Sequence, residues 1–316
     1  MARRVNFILI VVLFLAAPAT FAAKDCDIDM TSNATIVKSA KACGFNISNA
    51  GIGKKVPAPK KVAIAAFQIR FDFSSQRYGM VMQTAYGTID NTQRNYLQFE
   101  DDVYQEITDN MYDMFVISLE ALGFEVVPKE AVTNSEVYAM VKADESARKK
   151  KEMVRMTASG LKNIKGKGGA TASIAAQQKL AGINEELGAD ATIAVFATMG
   201  LLSTKGKNAG VKVCLGSSHG GYSAGQDFEL LVLAGTKTDH FPGGKPMYTP
   251  KARAQISFAV KKQMCYGGSV QERTNSKWAW KAKYSSDLDD YIDGTVRLFG
   301  WASTIAMLQL DAAANK

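Results

Sequence analysis

Leu119-Glu120-Ala121-Leu122-Gly123-Phe124-Glu125-Val126-Val127-Pro128 changes its hydrophobic period half-way along. Up to Leu122 it completes a run in which Val103, Ile107, Met111, Met114, Phe115, Leu119 and Leu122 recur at three- and four-residue steps, predicting a helix with one apolar face. Glu100, Asp101 and Asp102 fall in its first turn, where the helix dipole favours negative charge. Gly123 is the expected C-terminal stop. Phe124-Glu125-Val126-Val127 then reads as a strand closed by Pro128. Upstream, Val62-Ala63-Ile64-Ala65-Ala66-Phe67 is a short apolar run with β-branched residues, the pattern of a buried strand. Downstream, a helix over residues 171–187 ends at Gly188 and leads into Ala189-Asp190-Ala191-Thr192-Ile193-Ala194-Val195-Phe196-Ala197, another strand. Strand, helix and strand in this order predict an α/β fold with a mixed sheet flanked by helices.

Around this centre the chain divides into a signal segment (1–22), an N-terminal extension and linker (23–60), the α/β domain (61–200) and a β-rich continuation (201–316) that closes with a helix. The linker is the Pro/Lys stretch Lys54-Lys55-Val56-Pro57-Ala58-Pro59-Lys60. Residues 70–98, rich in aromatics, Gly, Gln, Asn and Thr, read as a hairpin or an ordered loop. Thr133-Asn134-Ser135-Glu136 is a capping box, so a second helix should start near Asn134 and run into the basic segment at Arg148. Residues 159–170 read as a flexible insertion. Its Gly/Lys run lacks the Gly-Lys-Ser/Thr ending that a phosphate-cradling loop needs. In the last third, turns separate strands at 211–215, 228–233, 256–260 and 278–284. An amphipathic helix at 287–310 carries Leu288, Tyr291, Ile292, Val296, Leu298, Phe299, Ile305 and Leu308.

The N-terminus predicts export. Arg3 and Arg4 precede an apolar run of about ten residues, and Ala17-Pro18-Ala19 or Thr20-Phe21-Ala22 offers a cleavage site. That run is shorter than the roughly 20 residues a spanning helix requires. Lys24-Asp25 before Cys26 do not make a lipidation box. The formal net charge is +8; removing a signal that holds two Arg and no acid leaves +6. The surplus is concentrated at Lys54, Lys55, Lys60 and Lys61, at 148–151, at Lys162, Lys165 and Lys167, and at Lys205, Lys207 and Lys212. Such runs are solvated faces or docking points for anionic surfaces; export argues against nucleic acid as the partner. In an oxidising compartment, Cys26, Cys43, Cys214 and Cys265 are disulfide candidates. Local pairing, Cys26 with Cys43 and Cys214 with Cys265, is the favoured of three connectivities, each bridge contributing roughly 3–4 kcal/mol by loop closure. With no Cys-x-x-Cys and only His219 and His240, a zinc site is poorly supported, and no metal or cofactor is expected.

The order of an apolar strand at 62–67, a helix ending Leu119-Glu120-Ala121-Leu122-Gly123-Phe124-Glu125-Val126-Val127, and Leu187-Gly188-Ala189-Asp190-Ala191-Thr192-Ile193 resembles the periplasmic α/β domain of the curli secretion channel family. It is similar also to the amino-terminal domain of the Tol-Pal translocation protein and related envelope lipoproteins. The resemblance covers roughly residues 60–200 and rests on short, mostly structural motifs. It implies a bacterial cell-envelope protein with a binding or assembly role, and it supplies no catalytic residues. The channel-forming members are lipoproteins with amphipathic hairpins, whereas here alternation at 75–90 and 200–235 is broken by Gly and Lys, so pore formation is not carried over.

Residue chemistry points the same way. Ser217-Ser218-His219 lacks a nucleophile-elbow context. Asp287, Asp289 and Asp290 fit the negative first turn of the last helix better than a Ca²⁺ loop. Asn33-Ala34-Thr35 and Asn46-Ile47-Ser48 match glycosylation acceptors, a pattern frequent by chance. Tyr78, Met80, Tyr86, Trp278 and Trp280 are the candidate interaction surface; the two Trp, two apart, share a strand face. The expectation is a non-catalytic periplasmic or outer-membrane-associated factor that contacts other envelope proteins or itself. The alternative is a ligand-binding protein or hydrolase using the 200–245 loops.

Overall fold

The computed structural model describes residues 59–77, 81–84, 87–90, 93–143, 149–150, 153–164, 174–203, 210–216, 228–240, 246–258, 264–265, 271–273 and 284–314, with seven more between 32 and 48. In chain order the strands are β1 (Ile47–Ser48), β2 (Lys61–Asp72), β3 (Ser74–Arg77), β4 (Val81–Thr84), β5 (Gly87–Asp90), β6 (Gln93–Tyr96), β7 (Glu125–Val126), β8 (Lys149–Lys150) and β9 (Met153–Thr157). They continue with β10 (Ala191–Ser203), β11 (Gly210–Leu215), β12 (Phe228–Asp239), β13 (Met247–Phe258), β14 (Met264–Cys265), β15 (Gln271–Arg273) and β16 (Tyr284–Ser286). The helices are α1 (Asp101–Ala121), α2 (Lys129–Thr133), α3 (Glu136–Ala139), α4 (Ile174–Leu187) and α5 (Leu288–Ala314).

A mixed sheet is the frame. β2 runs parallel to β10 and to β7, as the strand–helix–strand reading requires, while β9 adds antiparallel to the far end of β2. From β10 the sheet continues antiparallel through β12 to β13, and β11 pairs with the last residues of β10. Strands of the β-rich continuation therefore share one sheet with the α/β segment. The apolar run at 62–67 is completely buried because both faces of β2 are covered. A bulge at Ala65 shifts the register, Ile64 facing Ile193 but Ala66 facing Ala194.

Alternation on β10 separates two layers. Val195 lies beside Phe67 on the face that α1 and α5 cover, whereas Thr192 points the other way and donates to Asn184 Oδ1 of α4 at 2.6 Å. The α1/α5 layer is aromatic. The Phe67 ring sits 5.5 Å from Tyr112, 5.9 Å from Phe115 and 5.4 Å from Phe299, and Phe299 in turn meets Phe228 at 5.9 Å. Such edge and tilted arrangements suit the ring quadrupoles.

The motifs that carried the resemblance have structural work. Gly123 takes φ +90°, and the backbone N–H groups of Gly123 and Phe124 donate to the carbonyls of Glu120 and Leu119, closing α1 with a Schellman turn. Asp190 accepts from the N–H of Lys60 at 2.7 Å and of Lys61 at 2.9 Å, pinning the start of β2 to the start of β10.

Several expectations are corrected. No helix runs from Asn134 to Arg148. Instead α2 ends at Asn134 and Ser135 caps the single turn α3, its hydroxyl accepting from Tyr138 N–H at 3.0 Å. Each end of α3 is held by a charge from elsewhere. The Glu186 carboxylate accepts from Ser135 Oγ and from the N–H groups of Glu136 and Val137. Lys162 Nζ donates to the carbonyls of Tyr138, Ala139 and Val141. Residues 159–164 are no loose insertion: Leu161, Asn163 and Ile164 are buried, Gln68 donates to Asn163 Oδ1, and Asp109 accepts from Ser159 N–H and Oγ, both at 2.6 Å. The rest of that insertion, from Lys165, lies outside the described residues. β9 went unread, the strand at 228–233 is part of the longer β12, and residues 256–258 of the strand expected at 256–260 end the longer β13, 259 and 260 lying outside the described residues. In the stretch read as a hairpin or ordered loop, by contrast, antiparallel pairing is present, β3 with β6 and β4 with β5.

Candidate interaction surface

Of the residues singled out from sequence, Cys214, Cys265, His240 and the aspartates at the start of α5 are among those described. Tyr78, Met80, Tyr86, Trp278, Trp280, Cys26, Cys43, Ser217, Ser218 and His219 lie outside the described residues. His240 is exposed just past the end of β12. Asp289 and Asp290 occupy the first turn of α5, and Asp287 Oδ1 accepts the Asp290 N–H at 3.0 Å, a helix-capping arrangement. Cys214 and Cys265 are disulfide-bonded and face each other directly across the ladder of β11 and β14. No helix among the described residues is long and apolar enough to cross a membrane.

What the fold does assemble is a groove between α1 and the β7–α2 segment, open to solvent and about 550 Å³ in volume. Its floor combines Val116, Ile117, Val126, Val127 and Pro128, and its rim carries Asp113, Glu120 and Glu130 with Lys129. The origin is local. The inner stripe of α1 (Tyr104, Ile107, Met111, Phe115, Leu119) is spent on the aromatic layer. Ile117 falls on the opposite side of the helix and stays 47% exposed, the largest exposure among the described large apolar side chains. The same outward face holds Asp102, Glu106, Asp113 and Glu120, all exposed, and α1 contains no Lys or Arg.

Electrostatics inside the groove follow from this. Lys129 Nζ lies 5.0 Å from the centroid of the Tyr112 ring, a cation–π contact at the mouth. Burial, reinforced by the carboxylates of Asp113 and Glu130, pushes the Tyr112 hydroxyl up to about 12, so it stays a neutral phenol at every physiological pH. The groove thus presents apolar surface inside a negative rim, on a chain of net charge +8. Its lining offers apolar side chains, three carboxylates, one ammonium and one phenol. Sequence reading missed it because helix periodicity draws the eye to the buried stripe. The available signal was an isoleucine off that stripe, amid acids unbalanced by any base.

No protein-family model, curated protein or solved structure matches the chain.

Proposed function

We propose that this chain is an exported, non-catalytic cell-envelope protein, periplasmic or associated with the outer membrane after signal cleavage, that serves as an accessory or assembly factor by binding other envelope proteins or itself. The resemblance of residues 60–200 to periplasmic envelope domains supports the compartment, and the cross-strand Cys214–Cys265 disulfide suits an oxidising one. The observation that carries the binding role is the groove: exposed Ile117 on an apolar floor, rimmed by Asp113, Glu120 and Glu130, open rather than enclosed.

The experiment is gentle extraction from the host envelope, measurement of native mass and identification of co-purifying proteins, for the wild type and for Ile117→Asp. Because Ile117 is half out of the fold, the substitution should leave the melting temperature within a few degrees, as about 0.5 kcal/mol allows. The expected result is a defined complex in the wild type that is lost in Ile117→Asp. A wild type that runs as a lone monomer, or a complex indifferent to Ile117→Asp, overturns the assignment.

A further inference from the structure

An open sheet border and three uncommitted carboxylates meet at the groove. Among the described residues β7 pairs only with β2, so its other side is a border of the sheet. The N–H groups of Glu125 and Val127 donate to the carbonyls of Lys60 and Val62, at 2.7 and 2.8 Å. Backbone groups alternate in direction along a strand, so the N–H and C=O of Val126, which lines the groove, point away from β2. Neither has a hydrogen-bond partner among the described residues. An open donor and acceptor on a strand edge are a template for one more extended chain. The charge is equally uncommitted. Asp113, Glu120 and Glu130 are exposed, and none of the three side chains has a hydrogen bond or ion pair among the described residues. Lys129 is the cation of the lining, and its ammonium stands over the Tyr112 ring. Lys60 and Lys61 lie on the β2 side of β7, outside the lining, and Lys61 Nζ is paired with Glu125 at 3.3 Å.

We infer that the groove takes an extended, lysine- or arginine-rich segment of another polypeptide, laid against the free border of β7, an assignment that rests on the binding role proposed above. The backbone of the segment bonds to the Val126 N–H and C=O, its cations meet Asp113, Glu120 and Glu130, and an apolar side chain covers Ile117. Backbone geometry selects the extended form. A helix bonds its own N–H and C=O groups internally, so a helical partner would cover those of Val126 and leave them unmet. Charge selects the sign. An acidic segment, an anionic lipid surface or a nucleic-acid strand would set its charges against three unpaired carboxylates. A small polyamine would answer the rim but neither the open border nor the apolar floor. Because β7 is only two residues long, the border offers one donor and one acceptor. Backbone, charge and Ile117 therefore act together, and removal of any one should be felt.

Fluorescence anisotropy on the purified protein tests this, the probe being a labelled peptide of alternating lysine and valine. Comparison peptides carry glutamate for lysine, a fully N-methylated backbone, or lysine and leucine at helical three- and four-residue spacing. The lysine–valine peptide should bind about tenfold tighter than each of these, and its binding should weaken about tenfold as salt rises through the screening range. Asp113→Lys with Glu120→Lys should lose about tenfold toward the lysine–valine peptide and gain affinity for the glutamate one. Val126→Pro removes the outward N–H but leaves the Glu125 and Val127 bonds to β2, and should lose a similar factor. Should that variant fail to fold, amide hydrogen exchange on the wild type decides, since the Val126 N–H should gain protection when the lysine–valine peptide is bound. Equal binding of the helical or N-methylated peptide, an unprotected Val126 N–H, indifference to the charge reversal, or full displacement of the peptide by an equal concentration of spermine overturns the inference. Absence of peptide binding while the Ile117-dependent envelope complex persists removes this inference alone; absence of both removes the binding role too.

Discussion

The two layers on either side of the sheet are held by different physics. Beneath α1 and α5 the contacts are rings: Phe67, Tyr112, Phe115, Phe228 and Phe299 meet without hydrogen bonds between them. Beneath α4 the contacts are directional. Asn184 Nδ2 donates to the Leu233 carbonyl at 2.9 Å, Thr236 Oγ1 donates to the Ala181 carbonyl, and Glu186 and Lys162 grip the two ends of α3. The aromatic layer depends on volume and is blind to pH. The polar layer depends on geometry and charge, and its backbone contacts leave little room for added atoms. This division leaves the outward face of α1 free of structural duty, and the groove lies there.

The largest effect should come from the aromatic layer. Phe67 is fully buried and touches both helices, so Phe67→Ala removes the ring that joins them. The expected loss is about 3–5 kcal/mol, the same at pH 5 and pH 8, read from urea midpoints. A loss under about 1 kcal/mol would mean that the two layers do not differ as described.

A smaller effect should come from close packing on the other side. A Cβ at Gly182 of α4 would stand 2.6 Å from Cδ2 of the Tyr248 ring on β13, nearer than real contacts come. Gly182→Ala should therefore destabilise by about 1–2 kcal/mol, overpacking outweighing the better helix propensity of Ala. In a Tyr248→Ala background the obstacle is gone, and the same substitution should be neutral or stabilising. A double-mutant cycle by thermal melting reads the change of sign. Equal effects in both backgrounds would show that the backbone of α4 moves freely over the hairpin.

This contrast also explains what could be read from the sequence. The aromatic layer was legible because its determinants are periodic: the run at 62–67, the stripe of α1 and the apolar positions of α5 each declare an element by spacing. Gly123 and Gly188 were equally readable as local turn chemistry, and the pairing of Cys214 with Cys265, though it spans 51 residues, was readable because four cysteines leave three connectivities. The polar layer was not. Ser135 wins the cap over Thr133 because Glu186, 51 residues away, adds its carboxylate there, and no local motif encodes that partner. β9 was hidden because Arg155 interrupts its apolar pattern beside a basic run, although the fold buries that residue across from Arg70. The groove needed α1 and the β7–α2 segment in place before Ile117 acquired neighbours.

The smallest expected effect is the one that most sharply separates the layers. Burial alone would push the Glu186 carboxyl up, but the hydrogen bonds from Ser135, Val137 and Glu136 outweigh it and hold the group below the usual glutamate range. A carboxylate depressed in the folded state contributes stability that is fully present above its unfolded value, near ~4.3, and that fades as pH falls through the folded value. Glu186 is exposed, so solvent screens its charge and the contribution belongs at the low end of helix caps, about 0.5–1 kcal/mol. Glu186→Gln should therefore lower stability by that amount at pH 7. The difference from the wild type should begin to close as pH drops into the carboxylate range and vanish below the folded value, while the Phe67→Ala deficit stays constant over the pH range in which both remain folded. Paired urea titrations at stepped pH make the comparison. A Glu186→Gln deficit that persists undiminished into acid would show that the carboxyl acts by shape rather than by charge, and the polar layer would then need another source of pH dependence.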